Sequence, residues 1–155
     1  MEFKANWVRP AKDLGDVCPV FKKEWKLRKP LKEAALFLTA RGVYEARING
    51  KRVSGYVLAP GWTSYEKRLQ VQRYDITELI REENILTVTV GRGWMRSPMP
   101  GFVESEEKKN KVEQPCGLWG ELHLTYEDGN QEVLASDETW EYGESAVRFS
   151  ELYDG

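Results

Sequence analysis

A single histidine and two cysteines in 155 residues leave little from which to build a metal centre or a nucleophile–base pair. Cys18 and Cys116 are not spaced like zinc ligands, and two thiols alone cannot close a tetrahedral site. They read as two free thiols of a reducing compartment, with a long-range disulfide as the alternative. Charge of one sign is also missing: 23 Lys+Arg stand against 25 Asp+Glu, and the net charge of −2 excludes a surface built for nucleic acid or an acidic membrane. No apolar run approaches the roughly 18 residues that cross a bilayer. The first twenty residues carry Lys4, Asn6, Arg9, Lys12, Asp13 and Asp16 where a secretory signal needs an apolar stretch, so a cytoplasmic location is expected. Glycine-rich phosphate loops are lacking too, because Gly91-Arg92-Gly93-Trp94 has neither the third glycine nor a strand-to-helix setting.

What is present is an apolar, aromatic chain, 41% hydrophobic with six tryptophans, and that composition demands a packed core. Its length fits one domain over residues 1–155, with 1–18 as a lead-in segment and 91–115 as a long loop. The periodicity is that of strands. Phe21, Trp25 and Leu27 share one face of a strand whose other face carries Lys22, Glu24, Lys26 and Arg28. Ala34 to Ala40 reads as a strand buried on both faces. Tyr44, Ala46 and Ile48 alternate with polar residues up to Asn49-Gly50, a pair suited to a type I′ hairpin, with a return strand over Lys51 to Val57.

Leu58-Ala59-Pro60-Gly61-Trp62 is a loop, and Lys67 to Tyr74 resumes an extended pattern. Asp75 is placed to cap a short helical turn over Ile76 to Ile80. Ile85 to Gly91 and Leu118 to Tyr126 alternate as strands, Asp128-Gly129 makes a second hairpin, and Glu132 to Ser136 and Val147 to Tyr153 supply the last strands. Eight or nine strands at this spacing predict an all-β, antiparallel two-sheet sandwich, jelly-roll-like.

Hydrolysis of a glycoside needs two convergent carboxyl groups, and nothing in the pattern marks such a pair, so no catalytic residue is expected in this chain. His123 falls on the polar side of its strand beside Glu121 and Thr125, the place of an ordinary surface histidine. The loop aromatics carry more information. Trp62, Tyr65, Trp94 and Phe102 lie in turn-rich segments, where rings either plug the ends of a sandwich or stack against the C–H faces of a sugar. With Asn49 as a polar neighbour, Trp62, Trp94 and Tyr65 are the carbohydrate-binding candidates. No cofactor or resident metal is implied. Calcium is weakly suggested by Asp137, Glu138, Glu151 and Asp154 near strand ends, which a solvated rim explains as well. The mixed-charge tract Glu104 to Lys111 reads as a solvated loop tip, or as a lid over a neighbouring site.

The runs Gly42-Val43-Tyr44-Glu45-Ala46-Arg47-Ile48-Asn49-Gly50-Lys51-Arg52-Val53 and Leu58-Ala59-Pro60-Gly61-Trp62-Thr63-Ser64-Tyr65 resemble the N-terminal β-sandwich domain of bacterial α-L-rhamnosidases, glycoside hydrolase family 78. The likeness continues through Lys67 to Gln72, Tyr74-Asp75-Ile76-Thr77, Gly91 to Trp94, Tyr126 to Gly129, Asp137-Glu138-Thr139-Trp140 and Leu152 to Gly155. Gly93-Trp94-Met95-Arg96 departs from the pattern by lacking a second aromatic and glycine after the tryptophan. The resemblance implies a fragment of a larger inverting hydrolase of α-L-rhamnosyl bonds, whose catalytic acids lie in an (α/α)6 barrel outside this chain. It leaves two roles open. One is a non-catalytic accessory domain whose partners are the other domains of the parent; the other is a carbohydrate-binding module for rhamnose-containing glycans.

Overall fold

A computed structural model describes residues 2–65, 67–97 and 115–153. Among these residues nine strands form two antiparallel sheets, which fulfils the all-β sandwich expectation. They are β1 (Pro19–Lys26), β2 (Leu31–Arg41), β3 (Val43–Ile48), β4 (Lys51–Arg52), β5 (Gln72–Asp75), β6 (Glu83–Gly91), β7 (Gly117–Tyr126), β8 (Gln131–Ala135) and β9 (Glu141–Glu144). One sheet runs in the order β4-β3-β6-β1-β9 and the other β5-β2-β7-β8. Alternation decides which side chains face inward. Phe21 from β1, Leu36 and Leu38 from β2, Ile48 from β3, Leu86, Val88 and Val90 from β6, and Leu118, Leu122 and Leu124 from β7 fill the space between the sheets. Each such side chain contributes about 1.5–3 kcal/mol by leaving water.

The chain passes from one sheet to the other within a single residue. Gly42, at φ +135°, joins the end of β2 to the start of β3. A methyl group there would sit 2.1 Å from the Gly91 carbonyl oxygen, so the corner requires glycine. At the other end of β3, Asn49 (φ 52°) and Gly50 (φ 80°) both take the positive angles of the expected hairpin. Asp75 also acts as expected, its carboxylate accepting the Thr77 N–H at 3.1 Å ahead of a 3-10 turn over Thr77–Leu79.

Three expectations need correction. The return strand ends at Arg52, because the Ser54 hydroxyl accepts the Tyr56 N–H and Leu58 turns the chain with φ 56°. The segment Val147 to Tyr153 is no strand. The edge of β1 is taken instead by β9 and finished by Cys18 N–H to Val147 O, after which Glu151 accepts the Leu152 and Tyr153 amides. The long loop opens with a helical turn, α1 (Gly93–Arg96), so Gly91-Arg92-Gly93-Trp94 does run from strand to helix, one of a single turn; the stretch 98–114 lies outside the described residues together with Phe102 and the Glu104–Lys111 tract.

Residues 2–8 of the lead-in are tied down. Beyond the end of β8 they take its place beside β7, with Val8 and Leu118 exchanging backbone hydrogen bonds at 2.9 Å. Asn6 N–H donates to Ser136 O, and the Ser136 hydroxyl donates to Asn6 O at 2.6 Å. The edge of a central strand is thereby covered.

Candidate functional site

Two of the candidate aromatics belong to the loop that leaves β4 and returns as β5. The loop is pinned to β3 by the Tyr44 N–H, which donates to Ala59 O at 2.7 Å. A cis Ala59–Pro60 bond and Gly61 at φ 92° then turn it outward. Gln72 and Gln70 donate side-chain amides to Pro60 O and Trp62 O at 3.1 and 3.0 Å. The Tyr65 hydroxyl donates to Gly61 O at 3.3 Å, and burial pushes this phenol above its ordinary range. Trp62 is thus held by its backbone while its ring remains 58% exposed.

Trp94 lies half-buried on α1. Gly93 (φ 57°) lets α1 pack so close to β3 that a methyl group would meet Val43 Cγ1 at 2.5 Å. Val43 begins β3 and the Tyr44–Ala59 bridge is next to it, so Trp62, Tyr65 and Trp94 rise from the same end of the sandwich. Asn49 stands at the opposite end of β3, six residues away at about 3.3 Å each. Its amide already donates to Leu79 O (2.9 Å) and Asn84 Oδ1 (3.0 Å) and accepts the Ile85 N–H (3.0 Å). The structure therefore brings the three rings to one end and leaves Asn49 apart from them, closing a hairpin.

A cleft of about 550 Å³ lies between the lead-in segment and the ends of β1 and β6, where Arg92 and Arg96 approach Cys18 and Cys116. Both cysteines are free thiols, raised above the ordinary thiol range chiefly by burial. Arg92 pairs with Asp16, approaches Glu151 at 3.8 Å and lies over the Phe149 ring at 5.2 Å. Burial lowers the Arg96 guanidinium from its usual value.

Sequence patterning missed Glu121. It occupies the outward face of β7, yet it is 1% exposed because the lead-in segment covers it. One carboxylate oxygen accepts the Lys4 N–H and the Ala5 N–H (2.6 Å for Ala5), and the other accepts the His123 ring N–H at 2.7 Å. His123 packs edge-on against Phe37, and Phe3 packs against Phe37 and Trp119. His123 is accordingly a partly buried partner of a carboxylate, not the ordinary surface histidine expected. The available signal was the pair Phe3 and Trp7 in an otherwise polar lead-in.

Among the described residues, no group of three or more His, Cys, Asp or Glu side chains converges as a metal site would require. Asp137 spends its carboxylate on Thr139, whose N–H and hydroxyl donate to it and hold it below the usual carboxylate range. Asp154 lies outside the described residues.

The architecture is that of a β-sandwich domain with aromatic loops at one end. Comparison with known proteins places it further: residues 29–155 match the family described as the α-L-rhamnosidase N-terminal domain, and the chain belongs to that family. An α-L-rhamnosidase of Formosa agariphila is 34% identical over 99% of this chain, which corresponds to 18% of that enzyme. Native α-L-rhamnosidase from Aspergillus terreus superimposes with a TM-score of 0.87 at 34% identity, over 97% of this chain and 18% of the enzyme. The Streptomyces avermitilis enzyme, complexed with L-rhamnose, gives 0.79 at 33% identity over 90% of this chain and 13% of its own. The chain thus spans under a fifth of the length of the enzymes it matches.

Proposed function

We propose that this chain is a non-catalytic accessory domain of an α-L-rhamnosidase, supporting the part of the enzyme that carries out hydrolysis. One observation carries this proposal: nearly the whole chain corresponds to only 18% of the related enzymes, as one folded sandwich. The site agrees with that role. Glu121, a deeply buried carboxylate under the lead-in, is occupied by two backbone amides and a histidine, which leaves it without the free geometry of a general acid. The role calls on no cofactor of this chain's own. Incubating the pure chain with an aryl α-L-rhamnoside tests it: no turnover is expected, and release of the aryl alcohol by wild-type chain would overturn the claim.

A second role is favoured by Trp62, whose ring is exposed on a backbone fixed by Gln70 and by the turn at Gly61. A rigid exposed indole suits stacking on a sugar, and a rhamnose-binding module is the form that role would take. Titration with L-rhamnose, with and without calcium, reads it directly through tryptophan fluorescence. A saturable change lost in Trp62→Ala supports the module, and a flat response at millimolar sugar excludes it.

A further inference from the structure

The residues just before Trp62 expose more apolar surface than a sandwich edge requires. Tyr56 is 73% exposed and Val57 69%. Leu58 lines an open groove of about 270 Å³, together with Val57, Val43 and Val147. It does so from φ 56°, a conformation that costs a leucine of order 1 kcal/mol or more and persists only where the surrounding structure enforces it. Here the enforcing contact is the adjoining Tyr44–Ala59 bridge.

Three other exposed aromatic side chains have ring partners within the chain, while Trp62, Val71 and Ile85 are exposed outside this groove. Phe3 packs on Phe37 and Trp119, Arg41 lies over Trp7, and Arg92 lies over Phe149. The groove is different in kind. Its rim holds Glu45, ion-paired with Arg52 at 3.1 Å, so the charge beside the apolar floor is sparse and balanced. An apolar centre with a sparsely charged rim is the anatomy of a protein interface.

We infer that this groove, with Val57, Leu58 and Val147 as its apolar centre and Tyr56 at its edge, is the face on which the remainder of an α-L-rhamnosidase polypeptide docks. The inference rests on the accessory role proposed above and adds the surface that serves it. The occupant is argued from length: in the matched enzymes a sandwich of this fold is accompanied by more than four fifths of the polypeptide. A domain within such a chain buries an apolar patch against its neighbours.

The test replaces the matched segment of the fungal enzyme with this chain and compares amide hydrogen exchange over residues 54–59 in the replaced enzyme and in the free chain. Docking should slow exchange there by about tenfold or more, and Val57→Asp should restore the free-chain rate. If the replaced enzyme is folded and active but these amides exchange as in the free chain, the docking face is wrong while the accessory role stands. If replacement abolishes activity of an otherwise active enzyme, the accessory role falls and the docking face with it. Protection of the same amides in the free chain by L-rhamnose, or by a stable dimer that persists on dilution, would assign the groove to sugar or to a second copy and overturn the inference.

Discussion

Gly42 shows how much of this fold can depend on one residue. It is the entire connection between β2 and β3, which lie in different sheets, and its Cα faces the Gly91 carbonyl at a distance that admits no side chain. Because the obstructing atom is backbone, no rotamer change relieves the clash. Gly42→Ala is expected to destabilise the chain by about 3 kcal/mol or more, through strain at φ +135° plus displacement of β6. Denaturant titration checks this; a midpoint within error of wild type would mean that the corner is plastic.

Glu121 makes a different kind of demand. Removing its carboxylate leaves the Lys4 and Ala5 amides and the His123 ring without their acceptor. Glu121→Ala should therefore cost about 2–3 kcal/mol, whereas Glu121→Gln, which keeps one acceptor oxygen for the amides, should cost less than half as much. The same variants should raise hydrogen exchange in residues 4–8 before any other segment. Equal losses from both substitutions would show that the packing of Phe3, and not the hydrogen bonds, secures the lead-in.

At the scale of elements, Tyr44 ties the sheets together. From β3 its hydroxyl lies 3.2 Å from Leu38 O on β2 and shares a 2.8 Å hydrogen bond with the Tyr74 hydroxyl on β5. Burial, and then the hydrogen bond shared with Tyr74, push the Tyr44 phenol far above its ordinary range. Burial raises Tyr74 as well, and Tyr126 is pushed up to about 12 by burial and by Glu132. The sign follows from where the proton is held. Folded tyrosines keep protons that the unfolded chain releases above about pH 10, so their stabilisation is complete below that pH and lost as pH rises. Wild-type stability should decline steeply above pH 10. Tyr44→Phe should be less stable at neutral pH, with the gap closing by about 1.4 kcal/mol per pH unit in the alkaline range. Parallel stability curves for the two proteins would remove Tyr44 from the alkaline transition.

The elements also show what a linear pattern reveals. Alternation located the core strands because an inward face selects apolar residues every second position, and Asn49-Gly50 announced its hairpin because few other pairs accept two positive φ angles. The last strand was misplaced because Val147, Phe149 and Leu152 look apolar enough for β pairing, while the edge of β1 goes to the plainer Glu141–Glu144. Edge partners are chosen by tertiary register, which composition does not record. Of the site, the placing of Trp62, Tyr65 and Trp94 in turn-rich segments was legible. The separation of Asn49 was not, since it depends on which end of β3 each loop meets.

For the whole molecule, charge balance and the apolar groove act together. With 23 basic and 25 acidic side chains the sequence pI is about 5.6, so little net repulsion separates copies under mildly acidic conditions. A free chain then carries Tyr56, Val57 and Leu58 to its neighbours with nothing to oppose contact. Weak self-association should accordingly be strongest near pH 5.6 and should fade about two pH units higher, where deprotonation restores repulsion. Light scattering across that range measures it as an interaction coefficient passing from attractive to repulsive. The double substitution Tyr56→Ser, Val57→Ser changes no charge near the pI and removes only apolar surface, so it separates the two causes. If the attraction arises at the groove, the double variant should remain near-ideal even at pH 5.6; if it survives unchanged, charge neutrality alone drives contact and the groove plays no part in it.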